Sequence, residues 1–229
     1  MESEAVQLTP HEKFLAWFET NKGVVVRAAS IAGALALVAG LWAWRQNERA
    51  SSSSANLSLI VSHPSGDSTP ALLKVAEDYP GTEAAGRAVL LAAAALFESG
   101  KYAESKAQFE RYLHDYRNPV FTTQAQFGSA TCLDALGKPE AALAYKDLID
   151  HHPNDSLTPQ AKLNLARIYE SQNKLEAARD LYADLTTSGA VTQLANEAGL
   201  KSAELLAKHP NLASKPAPPA PIPAKPSKP

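Results

Sequence analysis

The chain has 229 residues, enough for one sizeable domain with appendages. Its 22 Lys and Arg against 24 Asp and Glu leave a formal net charge of −2. That excludes a global basic field of the kind that holds a protein on nucleic acid. The single cysteine, Cys132, excludes an internal disulfide framework and reads as a small buried thiol.

Alanine is abundant, while glycine, aromatics and β-branched runs are few, so the expected chain is almost wholly helical. In residues 1–23, Phe14, Leu15, Trp17 and Phe18 line one side of a short segment and Glu12, Lys13 and Glu19 face elsewhere. This pattern predicts a helix lying in a membrane interface. Residues 24–44 follow as a transmembrane helix, uncharged from Ala28 to Trp44. Its length, about 31 Å at 1.5 Å per residue, matches a ~30 Å hydrocarbon core. Arg27 sits one turn inside the start, where its stem can snorkel back, and Trp42 and Trp44 lie at the far end at headgroup level.

A cleaved signal peptide would need small residues after the apolar run, but Leu41, Trp42 and Trp44 are bulky and Arg45 follows at once. Lys13, Lys22 and Arg27 precede or open the span and Arg45 and Arg49 follow it, which places the N-terminus inside. Ala28, Ala32, Ala36 and Gly40 form a small-residue stripe that could seat another membrane helix, although so Ala-rich a span yields such stripes by chance.

Residues 45–82 read as connecting helices and an N-terminal half-repeat. Arg45–Ser62 continues the helix, and residues 63–69 break it with Ser68 or Thr69 as N-cap. Pro70 then opens a helix that runs to Asp78 and closes at Tyr79-Pro80-Gly81.

Residues 83–210 carry an internal period. Ala88, Ala125, Ala161 and Ala198 are 37, 36 and 37 apart, and five residues after each comes Ala93, Ala130, Ala166 or Ala203. Such a period is the signature of stacked helical hairpins. The first helices are expected at 83–99, 122–136 and 159–172, and the second at 102–116, 139–151 and 175–186. Gly100-Lys101, Gly137-Lys138 and Asn173-Lys174 join them, the Gly or Asn supplying a left-handed turn. Residues 192–208 form an unpartnered first helix, the place of a capping helix. Close helix crossing demands small residues, so Ala93, Ala130 and Ala166 should face Ser105, Ala142 and Ala178.

This order resembles the tetratricopeptide repeat: small residue, apolar residue, Gly-Lys turn, small residue, aromatic, then Pro. Lys146 departs from it, standing in the aromatic slot with Tyr145 one residue early. The resemblance implies an all-α fold, a transmembrane helix followed by an α-α superhelix of about three hairpins with half-repeats. It also implies partner binding along the first helices. Arg87, Leu90, Gln124, Phe127, Leu163 and Arg167 are the candidate groove residues, the three apolar ones having packing between helices as their alternative. Leu90 and Ala94 stand where a carboxylate clamp would need polar groups.

KFLAWFETNKG, one span ending in WAWR and a repeat domain together resemble the membrane-anchored ancillary subunit family of the bacterial SecYEG translocon. By that resemblance the protein is a single-pass inner-membrane scaffold with a cytoplasmic N-terminus and a periplasmic repeat domain. Its partners would be translocon subunits, periplasmic chaperones or emerging secreted chains. The alternative is a coordinator of cell-envelope assembly or division built on the same repeats.

No Gly-rich phosphate loop, HExxH or CxxC occurs, so no catalytic, cofactor or metal site is expected, and an enzyme with a dispersed site is the disfavoured third reading. Residues 211–229, rich in Pro, Ala and Lys, read as a disordered polyproline tail and spacer.

Overall fold

A computed structural model describes residues 10–63, 67–116, 118–187 and 192–213. The expected polyproline tail lies outside the described residues from 214 onward. All described regular structure is helical: α1 (Pro10–Ser62), α2 (Thr69–Asp78), α3 (Glu83–Glu98), α4 (Tyr102–Asp115), α5 (Pro119–Ala135), α6 (Glu140–His151), α7 (Thr158–Ser171), α8 (Leu175–Thr187), α9 (Thr192–Lys208) and a 3-10 turn at Pro210–Leu212. The chain divides into two units, Met1–Ser54 and Ala55–Pro229.

The first unit is the long part of α1. The expected interfacial segment and the expected span are one uninterrupted helix, because nothing between Phe18 and Val24 stops it. Gly23, the poorest helix former there, is carried within the helix, and Asn21 donates its side-chain amide to the Trp17 carbonyl at 2.8 Å. Phe14 stacks near Trp17 and Phe18 at centroid distances of 6.3 and 6.4 Å. The stretch Trp17–Ser62 is long and apolar enough to cross a membrane, and none of its most apolar window is buried within the protein.

The second unit is a stack in which each helix packs on the next in sequence. It opens with Leu57 and Ile60, from the last turns of α1, on Leu72 and Val75 of α2 and Ala84, Ala88 and Ala92 of α3. Asn56 donates to the Tyr79 hydroxyl at 2.8 Å across the same seam. Then come the hairpins α3/α4, α5/α6 and α7/α8, followed by α9.

The three hairpin turns are chemically alike. Gly100, Gly137 and Asn173 have φ of 75°, 64° and 57°. In each, two backbone bonds close the helix end in the Schellman pattern. Lys101, Lys138 and Lys174 donate to the carbonyls of Leu96, Leu133 and Tyr169 at 2.8–2.9 Å, and the Gly or Asn donates one turn inside. An L side chain is strained there, so Gly137→Ala is expected to cost about 1 kcal/mol in a denaturant titration. Asn173→Gly should stabilise slightly by the same reasoning.

Helix starts are capped locally. Thr82 Oγ1 accepts from the Ala85 amide at 3.2 Å, and Asn118 Oδ1 from Val120 at 3.1 Å. Asn118-Pro119 therefore begins α5 three residues before the expected start, with Pro119 pre-set in the first turn. At α2 neither expected residue supplies the side-chain cap. Asp67 Oδ1 accepts from the Thr69 amide at 2.9 Å, and the hydrogen bonds from Thr69 hold its carboxyl below the usual carboxylate value.

The hairpin seams follow one spacing in all three second helices. Ser105, Phe109 and Tyr112, then Ala141, Tyr145 and Leu148, then Ala178, Tyr182 and Leu185 are all buried. In the second hairpin Ala141 is the buried residue at this spacing, while the expected Ala142 is half-buried and packs against the cluster that holds Ala130. The Lys138–Pro139 turn is one residue tighter: the Ala141 amide donates to the carbonyl three residues back, whereas Ser105 and Ala178 reach four back. That missing residue brings Tyr145 into the aromatic position and leaves Lys146 outside, so the apparent departure at Lys146 vanishes. Ser105 Oγ donates to the Ala93 carbonyl at 2.7 Å and accepts from buried Cys132 Sγ at 3.2 Å.

Candidate protein-interaction surface

The sequence places six candidate contact residues on the first helices, and the structure divides them. Leu90 and Leu163 are 5% and 1% exposed, packed in separate core clusters. Phe127 is half-buried with its ring 5.9 Å from that of Tyr145. Leu90 and Leu163 thus pack between helices, as the alternative for these residues held, while Phe127 is only half-buried. Arg87, Gln124 and Arg167 are exposed and form the available surface.

That surface is polar, with two clefts. One, of about 350 Å³, lies where Val120 and Gln124 of α5 meet Asp155 and Leu157 in the α6–α7 turn. The other, of about 370 Å³, lies between α7 and α9 and is lined by Arg167, Glu170, Ser171 and Lys201. Asp134 on α5 joins this charged zone. Partial desolvation raises its carboxyl above the usual value, and the Arg167 guanidinium offsets part of that.

Tyrosine hydroxyls brace the surface from behind. The Tyr145 hydroxyl donates to Thr131 Oγ1 at 3.1 Å and accepts from Asn164 at 3.0 Å, so one oxygen ties α6 to both α5 and α7. Gln160 donates to Asn164 Oδ1 at 3.2 Å, completing that amide's orientation. The Tyr182 hydroxyl donates to Glu170 Oε2 at 3.1 Å and fixes one wall of the charged cleft. Burial first, and the Glu170 charge next, push the Tyr182 phenol well above its ordinary value, so it stays a neutral donor.

Sequence reasoning missed these rungs and the cleft residues Glu170 and Lys201. A usable signal was present: Phe109 packs on Gly128 and Tyr145 bonds Asn164, each pair nineteen residues apart. Tyr182 and Lys201 repeat the interval. The arrangement can hold a polypeptide through paired charges and amides. Among the described residues no cluster of three or more His, Cys, Asp or Glu could hold a metal ion. His151 meets only the Asp147 carboxylate and carbonyl on the exposed side of α6.

The membrane-facing expectations fall on α1. Trp42 and Trp44 are 66% and 67% exposed, with Arg27 earlier on the same helix. A family model described as a tetratricopeptide repeat-like domain matches residues 15–147, more than half of the chain. A second, described as a tetratricopeptide repeat, matches residues 135–191. No curated protein matches the chain.

Proposed function

The chain belongs to the tetratricopeptide repeat-like domain family, and from that premise we propose that it is a membrane-anchored protein-interaction scaffold. The observation that carries this reading is α1. An apolar window with no protein cover must be covered by something apolar, and its length suits lipid. The repeat unit that follows offers Arg87, Gln124 and Arg167 to protein partners along its first helices.

The finer reading places the span in a bacterial inner membrane, with the N-terminus in the cytoplasm and the repeats in the periplasm. There the scaffold stands beside the Sec channel and assists emerging chains or passes them to periplasmic chaperones. Its support is the resemblance of the N-terminal layout and the excess of basic residues before the span.

Topology is tested with Ser51→Cys in the full chain, because the native Cys132 is fully buried and silent. A membrane-impermeant maleimide applied to spheroplasts is expected to label it. Labelling only after permeabilisation would reverse the orientation. Affinity purification in mild detergent is expected to recover channel subunits; wall-synthesis or division proteins in their place would favour the envelope-coordinator reading.

A further inference from the structure

The small-residue register has one exception in three dimensions. Ala88, Ala125, Ala161 and Ala198 are all fully buried, as are Ala93, Ala130 and Ala166, but Ala203 is exposed. Leu90, Phe127, Leu163 and Leu200 form a second register. Leu90 and Leu163 are buried and Phe127 half-buried, while Leu200 is 74% exposed. On α3 the corresponding face is covered by α4 and the residue after it: Ser105 reaches Ala93, and Tyr112 and Tyr116 close on Gly86. On α9 the equivalent face, Asn196, Leu200, Ala203 and Ala207, is exposed throughout. Beside it an open groove of about 600 Å³ runs between Thr186 of α8 and Ala195, Gly199 and Leu200 of α9.

We propose that this face of α9, which no helix covers among the described residues, docks an amphipathic helix from a partner protein in the position a second helix takes on each earlier first helix. The chain itself states the chemistry of the occupant three times. Each first helix before α9 is packed by a second helix whose seam reads small residue, aromatic four residues on, Leu or Tyr three further. A partner helix with that seam sets its small residue at Ala203 and its aromatic ring beside Leu200, continuing an interface the fold already repeats. Residues 214–229 carry seven prolines, a composition poorly suited to a helix with this seam. This inference goes beyond the anchored-scaffold reading and stands whether or not that reading holds.

The test uses the full chain in detergent and a labelled peptide of its own Lys174–Thr187, locked as a helix by a side-chain lactam to remove the ordering cost. Saturable binding by fluorescence anisotropy is expected. It should weaken at least about tenfold with Leu200→Asp in the protein, and equally with Tyr182→Ala in the peptide. Leu200 is exposed, so Leu200→Asp should melt like the parent, and a circular dichroism melt verifies that. No saturation up to about 1 mM, or equal binding to the Leu200→Asp chain, overturns the proposal. So does a dimer in light scattering that Leu200→Asp dissolves, since a second copy would then cover the face.

Discussion

Truncating Phe109 to alanine is expected to cost about 3–5 kcal/mol, the range for emptying a buried aromatic site. The ring is 6% exposed and stands in the cluster that joins α3, α4 and α5. Its edge lies where a side chain on Gly128 would be: a Cβ there would come 2.4 Å from Phe109 Cζ and 2.5–2.6 Å from both Cε atoms. Gly128→Ala is therefore expected to destabilise the domain, against the usual gain of about 1 kcal/mol when alanine replaces a helical glycine. Overpacking costs about 1–3 kcal/mol and outweighs that gain. Phe109→Leu combined with Gly128→Ala should recover part of the loss, because the smaller side chain vacates the space the new methyl needs. A urea titration of the parent, the single variants Phe109→Leu and Gly128→Ala and the double variant reads the coupling. Additive losses would show that the two residues do not share one space.

Arg179→Ala is expected to release the C-terminal end of the stack while the first hairpin stays closed. Arg179 is 8% exposed on α8 and donates Nη1 to the Leu212 carbonyl at 2.9 Å. Its Nε also donates to Asp180 Oδ1 at 2.9 Å. Leu212 in turn is 3% exposed, packed with Leu185 and Leu205. Removing the guanidinium leaves a buried carbonyl without its donor, at about 1–3 kcal/mol. Asp180 is partly solvated, so its lost ion pair adds little. Repeat units contact only their neighbours, so the loss should stay local. Hydrogen exchange is expected to quicken in α9 and Pro210–Leu212 and to hold steady in α3 and α4. Uniform quickening would mean that the stack opens as one cooperative unit.

Much of this architecture is legible in the residues. The alanine intervals, the Gly-Lys and Asn-Lys turns and the unpartnered last helix are local or periodic properties, and local chemistry decides them. A left-handed turn needs Gly or Asn whatever surrounds it, and a 3.6-residue helix repeats its faces wherever it sits. The fault at Lys146 shows where such reasoning stops. One tighter turn after Lys138 moves Ala141 and Tyr145 into the seam, and only the backbone hydrogen bonding distinguishes that from the expected Ala142. Likewise the expected interfacial segment and the expected span run on as one helix, and the Asn21 side chain bonds back to the Trp17 carbonyl.

The surface was legible only in part for a related reason. Arg87, Gln124 and Arg167 lie exposed on the first helices, but Leu90 and Leu163 share that register and are buried. The hydroxyl rungs at Tyr145 and Tyr182 join residues on different helices, and no window along the chain contains both ends. By itself, then, the sequence determined the helical composition, the period, the turns and an apolar α1 fit for lipid. Tertiary structure alone decided which side of each first helix is covered, and hence that Leu90 and Leu163 are core while Leu200 is bare. Periodicity sets the direction in which a side chain leaves its helix, but what stands in that direction is settled by the neighbouring helix, and among the described residues none covers the Leu200 face of α9.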